Sequence, residues 1–187
     1  MSVISMKKGQ DGFSLIEVMV AIFVLAIGVL GIIGLQLFAK QNNYDAIQRS
    51  LAAAQVSSIV ERMRVNTAGL ADYVSAAEPI DLDDPDMPST VCVNCNAAQL
   101  AARDRAVWYE DLAGLAEQSG GNAVGGLVAP SACITRTVGT NDFRVTVAWR
   151  GRTAMSNPTA STCGEGSGMY GDNDEFRRIY FIDARIE

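Results

Sequence analysis

Two sets of residues could carry chemistry. Glu17 is a carboxylate at the very edge of an unbroken apolar run, Val18 to Leu35, and the four thiols are Cys92, Cys95, Cys133 and Cys163. A charged side chain near a bilayer centre costs about 2.5 to 3.5 kcal/mol and less near the interface, and such residues usually mark function. Glu17 therefore calls for a cation partner or a headgroup. Thiols support three chemistries: disulfides, a redox pair such as Cys92-Val93-Asn94-Cys95, or zinc ligation. The chain has no histidine, which removes His-based triads, Cys-His dyads and most zinc sites. A second Cys-x-x-Cys is also missing, so no metal site is expected. The glycine-rich stretch Gly120 to Gly126 lacks a following Lys-Ser or Lys-Thr and reads as turns, not as a phosphate loop. No cofactor is called for.

A length of 187 residues suits one small domain with one appendage, and 49 % apolar against 19 % charged residues excludes a disordered polar chain. Net charge is −6, with Asp81, Asp83, Asp84 and Asp86 crowded in one loop, so direct nucleic-acid binding is not expected. All 18 residues from Val18 to Leu35 are apolar or glycine, about the length that crosses a bilayer as a helix. Lys7 and Lys8 precede the run, and only Lys40 and Arg49 follow it over a long polar stretch. The positive-inside rule then keeps the N-terminus cytoplasmic and exports the rest. A conventional cleaved signal has an apolar core of about 7 to 15 residues and a small-x-small cleavage site. This run is longer, and Leu37-Phe38-Ala39 is a poor site.

Between the lysines and the run stands Gly12-Phe13-Ser14-Leu15-Ile16-Glu17. A short basic leader, then Gly, Phe and a Glu five residues after the Gly, closely resembles the class III signal of type IV prepilins and pseudopilins. The resemblance implies that a prepilin peptidase cuts between Gly12 and Phe13 and that the new Phe13 amine is N-methylated. The apolar helix follows the cut and is kept, so removal of the first 12 residues leaves 175. It also gives Glu17 a role. In a filament a buried carboxylate needs a cation, the terminal ammonium of a neighbouring subunit's Phe13 supplies one, and only one axial offset satisfies both charges. Glu17 thus sets the register of assembly. Gly28, Gly31 and Gly34 recur every third residue, either as small-residue contacts between helices or as points where the helix stretches. The run Ala26 to Gln36 (AIGVLGIIGLQ) is similar to the PilV branch of the minor pilins.

No proline occurs before Pro79, and after Gln36 the chain continues in good helix formers. One helix is expected from Phe13 to about Asn66, its second half amphipathic, with Tyr44, Ile47, Leu51, Val56, Ile59, Val60 and Met63 on the core side. Glu78 to Thr90 reads as a solvated linker. A second helix is expected over Ala97 to Gln118, capped by Asn96 and ended by Gly120-Gly121. The strands are Cys133 to Val138, Phe143 to Arg150 with Arg144, Thr146 and Ala148 outward, and Arg178 to Ile186; Gly151 to Glu175 reads as a long surface loop. The fold class is α+β: a long N-terminal helix, half transmembrane, packed on a C-terminal antiparallel sheet, which is also the pilin architecture. Three segments follow: 1–12 the leader, 13–38 the transmembrane half-helix, and 39–187 the periplasmic globular domain.

An oxidising periplasm makes disulfides the default for the cysteines. Of three connectivities, Cys133 with Cys163 is preferred because it staples the long loop to a strand, and Cys92 with Cys95 as a tight local bridge; crossed pairings stay open. The functional expectation is a non-enzymatic minor pilin of a type IV pilus, a low-copy subunit acting in initiation of assembly. Its expected partners are prepilin peptidase, other minor pilins, the major pilin and, through the minor-pilin complex, a tip adhesin, in support of twitching motility and adhesion. It would reside in the inner membrane with a periplasmic domain before assembly and in the pilus afterwards. The alternatives are a minor pseudopilin of a type II secretion system, or a single-pass periplasmic thiol oxidoreductase using Cys92 and Cys95.

Overall fold

Helix formers without a proline carry one helix, α1 (Leu15–Val65), through both the apolar run and the polar stretch behind it. Arg62 and Arg64 stand in its last turn, where cations complement the helix dipole. The computed structural model describes residues 12–79, 91 and 93–187, and it divides into two compact units, the first ending at Asn43 and the second running from Tyr44 to Glu187.

In the second unit α1 buries Gln48, Ala52, Val56, Ile59, Val60 and Met63, a stripe at helical spacing. Ile47, expected inside, is 63 % exposed. The neighbouring Gln48 takes the inward position because its amide is used twice: Nε2 donates to Gly126 O and Oε1 accepts from the Val128 N–H, both at 3.3 Å. A 3-10 helix (Thr67–Tyr73) follows α1. Gly69 lies so close to the next helix that a Cβ would sit 2.5 Å from Ala97 O. Then come β1 (Ser75–Pro79) and α2 (Ala97–Ala113). Asn96 caps α2 in a reciprocal capping box with Gln99.

Helix α2 ends at Ala113, five residues short of the expected Gln118, with Gly114 as its cap. Gly114 adopts φ +77° and a Cβ there would overlap the Gly126 nitrogen, so this glycine, not Gly120-Gly121, ends the helix. Gly120 and Gly121 instead turn a small hairpin of β2 (Gln118–Ser119) and β3 (Asn122–Ala123), with φ +61° and +85°. The main sheet is completed by β4 (Ser131–Arg136), β5 (Asp142–Arg150) and β6 (Arg177–Arg185), antiparallel throughout in the order β1-β4-β5-β6. Strand β1 was not anticipated: its Ser-Ala-Ala-Glu-Pro sequence has no β signature. The acidic stretch of the expected linker lies outside the described residues.

Phe143, Val145, Val147 and Trp149 of β5 face α1 and α2, joined by Ala132 and Ile134 of β4 and by Tyr180, Ile182 and Ala184 of β6, in one core with Trp108, Leu112 and Met63. The alternation was expected to leave Thr146 and Ala148 outward and wet. Both are buried. The chain between β5 and β6, expected as a surface loop, folds back over that face: Ser161 Oγ reaches Thr146 Oγ1 at 3.4 Å, and Tyr170 is buried with its hydroxyl on Ser131 Oγ (2.8 Å) and Ala129 O (2.9 Å).

Candidate functional site

Gly12, Phe13 and Ser14 precede the helix without regular structure and are exposed, Phe13 at 84 %. The first turn closes just behind them, with the Glu17 N–H on Ser14 O at 3.0 Å and the Val18 N–H on the same oxygen at 3.3 Å. The Gly12–Phe13 bond is therefore outside helical hydrogen bonding and exposed. A Cβ on Gly12 would meet nothing within 4 Å. This protein's own packing does not demand glycine there.

Glu17 sits in the first turn of α1, where the positive end of the helix dipole favours a carboxylate. Its side chain is exposed and has no cation partner among the described residues. Behind it the large apolar side chains from Leu15 to Phe38 all face outward, Phe23 at 67 % and Leu30 at 68 % exposure. Water strongly opposes such a surface, so the segment needs lipid or other helices around it. It is long and apolar enough to cross a membrane. At Gly28, Gly31 and Gly34 a Cβ would also meet nothing within 4 Å, so these thin places face outward as well.

The cysteines lie in the second unit and beyond the apolar run. Cys133 on β4 is bonded to Cys163, 30 residues on, with Cα atoms 5.9 Å apart and both side chains buried. The pairing of Cys92 with Cys95 involves Cys92, outside the described residues; Cys95 is not a free thiol. Beside Cys163 lies the feature that sequence reading missed, Arg177, which is fully buried. Its Nε donates to Asn157 Oδ1 (2.9 Å), Nη1 to Ser161 O (2.9 Å) and Cys163 O (2.8 Å), and Nη2 to Pro158 O (2.6 Å). Glu165 stands 4.0 Å away. One guanidinium thus gathers the loop that the disulfide ties down. Nothing in the sequence marks it, because arginine is among the residues least often buried.

Burial pushes the Tyr170 hydroxyl up to about 12 from its ordinary 10.0. Unfolding returns it to the ordinary value, so its contribution to stability is complete below about pH 10 and disappears as the pH rises through 12. Burial raises the Tyr73 hydroxyl as well, so alkaline denaturation should show this window and Tyr170→Phe should narrow it without removing it.

Residues 7–33 match the family described as the prokaryotic N-terminal methylation motif. Comparison with curated proteins and with solved structures gives no match. The motif is the class III prepilin signal, and with a membrane-capable helix that continues into an α+β domain it supports a type IV pilin or a type II pseudopilin. That class implies processing by prepilin peptidase, anchoring in the inner membrane and assembly with other pilins.

Proposed function

We propose that this chain is a minor pilin of a type IV pilus, close to the PilV branch, which acts in initiation of assembly and, through a minor-pilin complex, in display of a tip adhesin, twitching motility and adhesion. It works by assembly and not by catalysis. The observation that carries the reading is Glu17: a carboxylate with no cation partner among the described residues, in the first turn of an exposed apolar helix, five residues after Gly12. Cleavage after Gly12 creates the cation it lacks, on Phe13. A neighbouring copy can offer that ammonium at one axial offset only, which makes the pair a register mark. The glycine pattern of Gly28 to Gly34 favours the pilus over a type II secretion pseudopilin, whose leader is the same. In this reading residues 1–12 are the leader, 13–38 the membrane half of the helix and 39–187 the periplasmic domain.

Gly12→Val is expected to block processing, since a peptidase pocket shaped for a residue with no side chain excludes a branched one, while the chain's own structure has room for it. N-terminal sequencing of the membrane protein checks this: wild type begins at Phe13 and the variant keeps its leader. A mature wild-type chain beginning elsewhere would overturn the assignment. Glu17→Ala should leave cleavage and insertion intact, or ease insertion by removing a charge, yet reduce incorporation into sheared pili by tenfold or more. Wild-type incorporation would remove the register role. Alkylation of Cys92 and Cys95 in the native protein would favour the thiol oxidoreductase instead.

A further inference from the structure

Where β5 ends and β6 begins, Arg150 and Arg152 flank Gly151 beside Tyr44, Val128 and Phe176, around an open cavity of about 340 Å³. Each guanidinium lies over a ring, Arg152 at 5.2 Å from the centroid of Tyr44 and Arg150 at 4.7 Å from that of Phe176. A second cavity, of about 200 Å³, holds Arg49 and Arg178 with Trp149. Gly151 joins the two: its N–H donates to Phe176 O at 2.8 Å, and a Cβ on it would stand 2.9 Å from the Arg178 guanidinium. Among the described residues none of Arg49, Arg150, Arg152 and Arg178 has a carboxylate within 4.0 Å, whereas Arg62, Arg64, Arg144, Arg177 and Arg185 each do. In a chain of net charge −6, this is a local excess of uncompensated cations.

Stacking on an aromatic face fixes a guanidinium plane; Arg150 Nη1 donates to the Met169 carbonyl and Arg178 to the Thr153 carbonyl, which anchors both, while the remaining edge N–H groups of Arg150 and those of Arg152 face the cavity, the arrangement that grips a phosphate oxygen pair. The place of this cavity along the chain says which phosphate. Tyr44 follows Phe38, the last large apolar residue of the exposed run, by six residues. Six residues reach at most about 20 Å even when fully extended. Chain connectivity therefore tethers Tyr44 within reach of the headgroup layer that covers the end of the span, where tyrosine is also favoured. We propose that this arginine and aromatic cavity binds the phosphodiester headgroup of an anionic phospholipid in the leaflet that faces the domain, orienting the subunit on the membrane before assembly. The proposal rests on the reading of the apolar half of α1 as a membrane span.

The full chain serves for the test, first in flotation with phosphatidylcholine vesicles and then, in neutral detergent, by native mass spectrometry against equal amounts of phosphatidylglycerol and phosphatidylcholine. Wild type should float and should retain phosphatidylglycerol preferentially. Arg152→Gln, at an exposed side chain whose contact is the Tyr44 ring, should weaken that preference about fivefold, as expected for one basic residue at an anionic surface. Arg150→Gln with Arg152→Gln should abolish it, and Arg64→Gln, at a paired arginine, should leave it unchanged. Near-ultraviolet circular dichroism matching wild type shows the variants folded. Failure to float overturns the span and this site together. Flotation with no headgroup preference, with a preference that survives the double substitution, or with one that millimolar inorganic phosphate removes overturns the headgroup site alone.

Discussion

Replacing Arg177 by methionine is expected to destabilise the unit from Tyr44 to Glu187 by about 3–5 kcal/mol, the cost of breaking a buried, hydrogen-bonded charge from one side. A buried ion pair can be exchanged for apolar residues at little cost when both partners go, but here most acceptors cannot go. Three are the backbone oxygens of Pro158, Ser161 and Cys163, and they stay behind without donors. Lysine retains the charge yet not the planar fork that spans these oxygens with Asn157, so Arg177→Lys should still cost about 2 kcal/mol. Glu165→Gln is the discriminating control. Glu165 lies 4.0 Å away and is 44 % exposed, and pairs of that kind contribute about 0–1 kcal/mol, so its loss should be small. Urea unfolding followed by tryptophan fluorescence reads this unit alone, because both tryptophans, Trp108 and Trp149, lie in it. A large effect of Glu165→Gln with a small one of Arg177→Met would show that the ion pair, and not the ring of carbonyls, holds the loop.

The long helix, the sheet and the α+β class were legible in the sequence because their signals are local and periodic. A proline-free run of helix formers made α1, and β5 announced itself through Phe143, Val145, Val147 and Trp149. What escaped depends on contacts between distant segments. Gly114 and Gly120 look alike in sequence, and only the approach of Gly126 decides that the first ends α2 while the second turns a hairpin. Thr146 and Ala148 read as solvent-facing by alternation, which assumes that one face of the sheet stays open; the segment between β5 and β6 covers it. Gln48 outcompetes Ile47 for the inside of α1 through two backbone partners about 80 residues away.

The N-terminal segment follows the opposite logic. Gly12, Phe13 and Glu17 make sense from their spacing alone, and within one chain nothing gathers around them: Glu17 has no partner among the described residues, and Gly12 has open space where a side chain would be. Features unexplained by a chain's own packing point outward, to an enzyme, a membrane or a second copy. That is also why the arginine cavity beside Tyr44 was invisible in sequence. Its members come from α1, from the end of β5 and from the residue before β6, and only the fold makes them neighbours.

Cys133→Ser and Cys163→Ser are each expected to lower the stability of the same unit by about 3 to 4 kcal/mol, the loop-entropy value for a closure of 30 residues. The double substitution should be no worse than either single one, since losing one sulfur already opens the loop. Against a total of about 5 to 15 kcal/mol this is a large fraction, visible as lower steady-state levels where proteases remove unfolded chain. The coupling to Arg177 gives a sharper test, because the guanidinium donates to the Cys163 carbonyl itself. With the disulfide present, the loop cannot leave without breaking the sheet face around Thr146, so the full cost of Arg177→Met is felt. Without it the loop can open locally and hydrate the carbonyls of Pro158, Ser161 and Cys163, so the same substitution should cost at least 1 kcal/mol less in a Cys133→Ser background. Additive effects would mean that the disulfide and the arginine hold the loop independently, and single cysteine variants that differ widely would mean that the two sulfurs do not act as one bridge.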